Sequence, residues 1–449
     1  RRVRFVPHHV AHAASAYLAA PFADSAVLVL DGRGETASHL AGRAVGGDLE
    51  ILHAQGLPHS LGLMYEELTE HVGFLRSSDE YKVMALASYA EPRWLGEFRD
   101  LIRPTEAGGF VIEPIDWSRF VPARAADGEF LEGHAQLAST VQHRLEEVLL
   151  ELARWLHART GDRVLTMAGG VALNCVANSR LVREGPFEEV WVQPAAGDSG
   201  TSLGGALFEA ARRGDRLTPM PGADLGRDFT DDDIAAMLRT AGAEVERPGD
   251  LPGAVAAVLA ADGVVGWFQG RSEFGPRALG HRSLLASPAR RSTLTRLNDI
   301  KGREQFRPVA PMVLLDRAAD IFDGPLPSPY MLFTHQVRPG WAERIPAVVH
   351  VDGSARAQTV DPSTEPLVAA LLRAFEARTG LPVLVNTSFN TAGRPMVDTP
   401  HDALECFGSS PMDMLVLGPY VLRKRAHAGI LQTAGATDTV AAAAAVIGG

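Results

Sequence analysis

Two histidines four residues apart, His8 and His12 in HHVAHAASAY, and Asp31 at the end of the apolar run SAVLVLD have types and spacing that suit chemistry. Positions i and i+4 share one helix face, so both imidazoles can reach one cation. A carboxylate from a nearby strand end makes a two-histidine, one-carboxylate set, which leaves coordination positions open to substrate. Asp198 in AAGDSGTSLGGA follows a strand and opens a helix, where it can act as a fourth ligand. Its alternative role there is to cap that helix, which aspartate does well. A histidine pair at this spacing is also a common coincidence of helical sequence, so its surroundings decide its meaning.

Three glycine-rich junctions lie in the same half: DGRGE with Gly32 and Gly34, AGGVALN with Gly169, Gly170 and Asn174, and AAGDSGTSLGG. Glycines at such turns let backbone N–H groups approach phosphate closely, although many such turns merely reverse the chain. The second half is denser in cations. GRSEFGPRALGHRS places Arg271, Arg277 and Arg282 among turn formers, NDIKGREQFRPVAP carries Lys301, Arg303 and Arg307, and DGSARAQTV carries Arg356. NTSFN presents Asn386, Ser388 and Asn390 at a strand end. Guanidinium forks, a lysine point charge and amide or hydroxyl groups suit a small phosphorylated anion together with a triphosphate. The plainer reading is a set of surface arginines paired with carboxylates. Only three lysines occur, Lys82, Lys301 and Lys424, which singles out the first two for inspection.

The elements that position these residues follow from periodicity. The start RRVRFVP reads as the middle of a strand, and HHVAHAASAY as a helix. Residues 25–31 form a buried strand, and 36–53 form a hairpin broken at 46–48. Helical spacing runs over 61–89 with an interruption near 76–80, and a long amphipathic helix over 134–159 stops at Gly161. Strands at VLTMAGGVALNC and VWVQP precede the glycine-rich helix entry. Residues 214–232, mixed Pro, Gly and Asp without periodicity, read as a linker. Beyond it come helices over 231–242 and 250–262, a strand GVVGWFQ, and closing strands PVLVNTS and DMLVLGPYVL. The whole is α/β, with domains expected over 1–220 and 228–427 and a flexible Ala-rich tail over 428–449.

Length and composition agree with this. A chain of 449 residues with 46% hydrophobic residues can build full-sized cores. The net charge of −11 argues against nucleic acid as a partner, because phosphate neutralisation needs clustered Lys and Arg. Two cysteines, Cys175 and Cys406, exclude a disulfide framework and a Cys-rich zinc site, and suit a reducing cytoplasm. No apolar run is long enough for a transmembrane helix, so no membrane association is expected.

The chain resembles the O-carbamoyltransferases of the NodU/CmcH type. The resemblance rests on HHVAHAASAY, DGRGE, KVMALASY, AGGVALN, GDSGTSLGGA, SEFGPRALGHRS, KGREQFRPVAP and NTSFNTAGRP, and it spans nearly the whole sequence. It implies an actin/Hsp70-like (ribonuclease H-like) two-lobe domain that holds metal and nucleotide, followed by a YrdC-like domain. The resemblance also implies a strand hairpin upstream of the histidine pair, with a histidine facing the nucleotide. This sequence has no such segment, so the first domain is expected to be N-terminally truncated.

Function and sites follow from the resemblance as expectations. The YrdC-like domain would convert carbamoyl phosphate and ATP to carbamoyl adenylate, with Lys301, Arg307, Arg356 and Ser388 on the phosphate and carbamoyl groups. Asn386 and Arg277 would lie beside them, with Arg271 and Asn390 in the same cofactor-contacting set. The first domain would hold a divalent metal, iron favoured over magnesium, on His8, His12, Asp31 and Asp198. Gly32, Gly34, Lys82, Gly169, Gly170 and Asn174 would contact the nucleotide. A hydroxyl of a small antibiotic-type acceptor would then take the carbamoyl group, with residues 91–133 walling the acceptor site. A homodimer is one option for the assembly. The alternatives are a non-catalytic nucleotide- and metal-binding module and a relative of the tRNA threonylcarbamoyl-transfer enzymes; acidic charge disfavours the second.

Overall fold

Strand β1 (Asp24–Leu30) is buried from its second residue onward and sits at the centre of the first sheet. Side chains alternate across a strand. Ala26, Leu28 and Leu30 therefore enter one apolar cluster, while Val27 and Val29 enter another on the opposite face. The structure, a computed structural model, describes residues 3–424. It divides into two compact units. The first runs to Ala223 and includes Phe274–Pro276 and Tyr330–His335; the second comprises Asp224–Glu273, Arg277–Pro329 and the chain from Gln336 onward. The division falls within the Pro/Gly-rich stretch 214–232. The two short returns to the first unit have no mark in the sequence.

In the first unit, β1 is flanked by β2 (Ala37–Val45) and β6 (Val164–Ala168), in the order β3-β2-β1-β6-β7, with β3 at Asp48–Gly56 and β7 at Glu189–Val192. The β1–β2–β3 pairings are antiparallel, and the β1–β6–β7 pairings are parallel. On one face lies α5 (Glu132–Thr160), whose leucine and valine stripe fills the larger core. It ends at Gly161, which takes the left-handed conformation (φ +68°) that a Cβ would disfavour. Also on this side are α2 (Leu61–His71), α3 (Glu80–Leu86), α4 (Leu95–Leu101) and the short hairpin β4 (Ile102–Pro104)–β5 (Phe110–Ile112). Helix α6 (Cys175–Glu184) follows β6.

The other face is covered by α1 (His8–Tyr17), rich in alanine, which packs on α7 (Ser199–Arg212). Their approach is backbone to backbone. A Cβ on Gly204 would come within 1.8 Å of the Ala11 carbonyl, and one on Gly200 within 2.1 Å of the Ala195 carbonyl. Only hydrogen fits there. The α1 backbone enters without a side-chain cap, and the Glu35 carboxylate accepts the His8 N–H instead (3.2 Å), placing negative charge at the positive helix end. Residues 3–7, read from the sequence as strand, pair with no strand.

The second unit is built on a seven-stranded sheet in the order β14-β10-β15-β9-β8-β16-β17. Its strands are β8 (Val265–Phe268), β9 (Arg282–Ala286), β10 (Ala310–Leu314), β14 (Gln358–Val360), β15 (Val383–Ser388), β16 (Met414–Leu417) and β17 (Tyr420–Arg423). Helices α8 (Asp231–Thr240), α9 (Leu251–Ala260), α10 (Arg291–Ile300), α11 (Leu315–Ile321), α12 (Pro366–Thr379) and α13 (Pro400–Gly408) complete it, with a small sheet of β11 (Phe322–Asp323), β12 (His335–Val337) and β13 (Ser354–Ala355). DMLVLGPYVL, read as one strand, is a hairpin: Gly418 turns it at φ +53°, and β16 pairs antiparallel with β17. The tail expected to be flexible over 428–449 lies outside the described residues. No helix among the described residues is long and apolar enough to cross a membrane.

The α1–α7 contact gives a direct test. Gly204→Ala should cost about 1–3 kcal/mol through overpacking, whereas Gly205→Ala, whose Cβ would meet nothing within 4 Å, should be neutral or slightly stabilising. Chemical denaturation of both variants measures this, and equal midpoints would refute the close-contact argument.

Candidate metal centre and anion pocket

The turn of α1 between His8 and His12 puts both Nε2 atoms on one side, 3.1 Å apart. Asp31, just past β1, brings Oδ2 to 3.0 Å from His8 and 3.6 Å from His12. Asp198, immediately before α7, brings Oδ1 to 3.5 Å from each imidazole. One ligand atom from each of the four lies within 4.8 Å of all the others. The capping alternative for Asp198 fails, because its side chain makes no cap hydrogen bond. Two nitrogens and two carboxylate oxygens converging this closely suit a divalent cation, and they leave room for further ligands.

The cluster is asymmetric. His12 is fully buried and Asp31 nearly so, while the Asp198 side chain is 78% exposed. Burial by itself would raise the Asp31 pKa. Hydrogen bonding and charge from His12, the Gly170 N–H (2.9 Å) and His8 outweigh it and hold the carboxyl well below the usual carboxylate range. Asp31 is therefore an anion held ready among imidazoles. His9, one step round the helix, points elsewhere: its ring packs against Gly34, and burial pushes its pKa down.

The expected nucleotide residues of this unit have local partners. Gly169 takes φ +92°, and a Cβ there would meet the Leu30 carbonyl at 2.1 Å, so glycine is required by the backbone. The Gly170 N–H is engaged by Asp31, and the Asn174 side chain accepts from Ala177 N–H as the α6 cap and pairs with Gln142. Lys82 pairs with Asp79 (3.0 Å) over the Phe74 ring. Gly32 lies against Glu66, with room for a Cβ only at 3.0 Å from its carboxylate.

In the second unit, Lys301 follows α10 and is 7% exposed. Its Nζ donates to Ser388 O (2.5 Å), Ser388 Oγ (3.0 Å) and Asn390 Oδ1 (2.5 Å), and Ser388 Oγ donates in turn to Asn390 Oδ1 (2.8 Å). All these acceptors are neutral. Burial first, then the charges of Arg303 and Arg307, push the Lys301 ammonium well below the usual lysine range. A buried cation among further cations is costly unless an anion joins it. Asn386 lies two residues before Ser388 and on the same strand face. It reaches Gln358 (2.7 Å) on β14, two residues after Arg356.

Not every predicted arginine joins this group. Arg282 opens β9 rather than lying in a turn, and it is fully buried; its guanidinium serves the carbonyls of Gln269 (2.7 Å) and Gly270 (3.0 Å) and stacks on Phe268. It is a structural residue. Arg271 is exposed and donates to the Gly226 carbonyl at 3.3 Å. Sequence reasoning missed Glu273, whose Oε1 accepts from the N–H groups of Leu279 (2.7 Å), His281 (3.0 Å) and Arg282 (3.1 Å), shaping the turn that carries Arg277. It also missed Gln358. Nothing in the strand pattern marks either residue.

Two family models match the chain: the carbamoyltransferase N-terminus over residues 1–207 and the carbamoyltransferase C-terminus over 256–424. The chain belongs to the carbamoyltransferase family. An uncharacterized protein of Synechocystis, sll1178, is 40% identical over 94% of this chain and 76% of its own length. Nodulation protein NolO of Bradyrhizobium diazoefficiens is 37% identical over 93% of this chain and 79% of its own. Nodulation protein NolNO of Sinorhizobium fredii is 39% identical over 94% of this chain, which spans 64% of that relative. Crystal structures of HypF, one full-length in a phosphate- and nucleotide-bound form and one from T. kodakarensis, align partially. They cover 40% and 46% of this chain and 22% and 37% of their own, at 15% and 16% identity, with TM-scores of 0.28 and 0.27.

Two predictions follow the geometry of this carbamoyltransferase chain. His8→Ala and His12→Ala should each strip bound divalent metal, assayed as metal per chain after dialysis; full content in both variants rejects the ligand assignment. For Lys301 the sign of pH dependence is fixed. Its folded pKa is depressed, so across the window up to the ordinary lysine value the unfolded chain holds the extra proton, and stability rises with pH. Anion binding needs the ammonium form and runs the other way. Inorganic phosphate should bind more weakly as pH rises through that window, taking up at most about one proton per site. Calorimetry in two buffers of different ionisation heat measures the uptake, which should vanish in Lys301→Met.

Proposed function

We propose that this chain is an ATP-dependent O-carbamoyltransferase that makes carbamoyl adenylate in its second unit and delivers the carbamoyl group in its first. The observation that carries the reading is Lys301, a buried ammonium with neutral oxygen partners and arginines around it. Such a pocket suits a phosphorylated anion. The seven-stranded sheet fits a YrdC-like domain. The first sheet, an antiparallel meander extended by two parallel strands, fits a ribonuclease H-like lobe of an actin/Hsp70-like domain.

In the second unit, Lys301 and Ser388 would hold the phosphate of carbamoyl phosphate, with Arg307, Arg356 and Arg277 drawing off its charge. Cleavage by water gives carbamate and inorganic phosphate. A carbamate oxygen then attacks the α-phosphorus of ATP, forming the mixed anhydride while pyrophosphate leaves. Fixed cations stabilise the charge that builds on the transferring phosphoryl group. In the first unit, an acceptor hydroxyl attacks the carbamoyl carbon; the new C–O bond forms, the anhydride C–O bond breaks, and AMP leaves with the electron pair. His8, His12, Asp31 and Asp198 would hold a divalent metal, iron favoured, which when bound supplies Lewis acidity toward phosphate oxygens. The Asp31 carboxylate, kept ionised, and the Gly170 amide fix that edge of the site. The acceptor is a small hydroxyl-bearing molecule, with residues 91–133 as its wall.

The test is pyrophosphate release from ATP and carbamoyl phosphate without acceptor. Robust release that falls by a factor of ~100 or more in Lys301→Ala, about the weight of one charge-stabilising group, is expected; none from the unmodified chain rejects the synthetase role.

A further inference from the structure

The turn that carries Arg277 is fixed along its backbone from several sides. Glu273 Oε1 accepts the N–H groups of Leu279, His281 and Arg282. The carbonyls of Ala278, Leu279 and Gly280 accept from Asn386 Nδ2 (3.0 Å), Gln358 Nε2 (2.7 Å) and Trp267 Nε1 (2.8 Å). To this frame is added one ionisable link: His281 Nε2 lies 3.1 Å from Glu365 Oε1, on the residue that opens α12. Turn and helix also touch there. Gly280 takes φ +107°, and a Cβ on it would stand 3.2 Å from Val368 Cγ2 in the first turn of α12. Glu365 stands at the N-cap, yet its carboxylate makes no capping bond and is given to the imidazole.

An ionised carboxylate only accepts, so the hydrogen between the two lies on Nε2. The second ring nitrogen, Nδ1, is buried without a hydrogen-bond partner, and so is Glu273 Oε2. A neutral ring leaves a bare lone pair at Nδ1; an imidazolium has an N–H there, in the field of that carboxylate. The acidic groups that face the ring are Glu365 from α12, Glu273 from before the turn and Asp224 from the linker. The neighbouring cations are engaged elsewhere: Arg282 donates to the Gln269 and Gly270 carbonyls, and Arg271 to the Gly226 carbonyl. Burial alone would lower the His281 pKa. The Glu365 hydrogen bond and the charges of Glu273, Glu365 and Asp224 outweigh burial and raise it.

We propose that His281, as imidazolium, is a positioning residue: it clamps the Arg277 turn to α12, and loss of its proton weakens anion binding in the second unit. The proposal rests on the phosphate and carbamoyl phosphate reading of that pocket and adds its regulation by pH. Because the folded pKa is raised, the clamp contributes fully below the ordinary histidine value and is lost as pH rises through the folded one. The ordinary value lies just below neutrality, so raising it moves the change toward neutral pH. By reciprocity, a bound anion should raise the His281 pKa further.

Two measurements on the full chain test this. The first follows the His281 ring signal by NMR against pH, with and without inorganic phosphate. The midpoint should lie above the ordinary value, rise when phosphate is added, and fall in Glu365→Gln. The second measures phosphate affinity by calorimetry between about pH 6 and 8 in the unmodified protein and in His281→Gln, whose amide can reach Glu365 but cannot titrate. Affinity in the unmodified protein should fall about fivefold more than in the variant, the lower end of coupling between linked sites; the slope left in both belongs to Lys301. A uniform loss of affinity in His281→Gln at every pH marks a merely structural residue and overturns the proposal. So does a midpoint that phosphate leaves unmoved, a measurement on the unmodified protein that stands even if a variant fails to fold. No phosphate binding at any pH defeats the anion pocket itself, and this proposal with it; binding with equal slopes in both proteins defeats the clamp alone.

Discussion

Four lone-pair-bearing atoms, two imidazole nitrogens and two carboxylate oxygens, are held within 4.8 Å of one another in the first unit. Convergence of like polarity is unfavourable unless something of opposite character joins it, so the surrounding structure must enforce it. The enforcement is backbone contact. Gly200 and Gly204 let α7 lie directly on α1 and on the loop before α7, and that separation fixes how far Asp198 stands from the histidine pair. Gly170 reaches back to Asp31 for the same purpose. Several of the conspicuous glycines in this unit are therefore explained by close approach of chain to chain.

The second unit poses the complementary case. Here cations gather with neutral oxygens, and Lys301 lies deepest among them. The arrangement is held by atoms that carry no charge of their own: the carbonyls of Ser388, Ala278 and Leu279, and side-chain amides tied to them. Glu273, the nearby buried carboxylate, has one oxygen on three backbone amides. It organises the turn. Both units thus build a polar site with incomplete internal satisfaction.

Burial separates the two groups of arginines that look alike in sequence. Arg282 stands five residues from Arg277 in one motif, but it opens a central strand and its two terminal nitrogens donate to carbonyls of neighbouring turns. Removing it would leave those carbonyls unpaired in the core. A motif rich in arginine therefore contains a buried structural residue, marked out by its place at the start of a central strand.

Local pattern alone determined most elements. The strand before Asp31, the hairpin turning at Gly46–Gly47, the long helix closed by Gly161 and the helix carrying His8 and His12 were all legible, because periodicity, turn residues and caps act within a few residues of chain. The i,i+4 spacing likewise placed both imidazoles on one side without reference to the rest of the molecule. What tertiary structure decided were matters of distance between segments remote in sequence: that Asp198 turns to the imidazoles instead of capping α7, that Arg282 is core, that DMLVLGPYVL folds back on itself, and that Gln358 orients Asn386. Each depends on which backbone carbonyl or amide arrives from elsewhere to accept or donate a hydrogen bond, and no local propensity encodes that arrival.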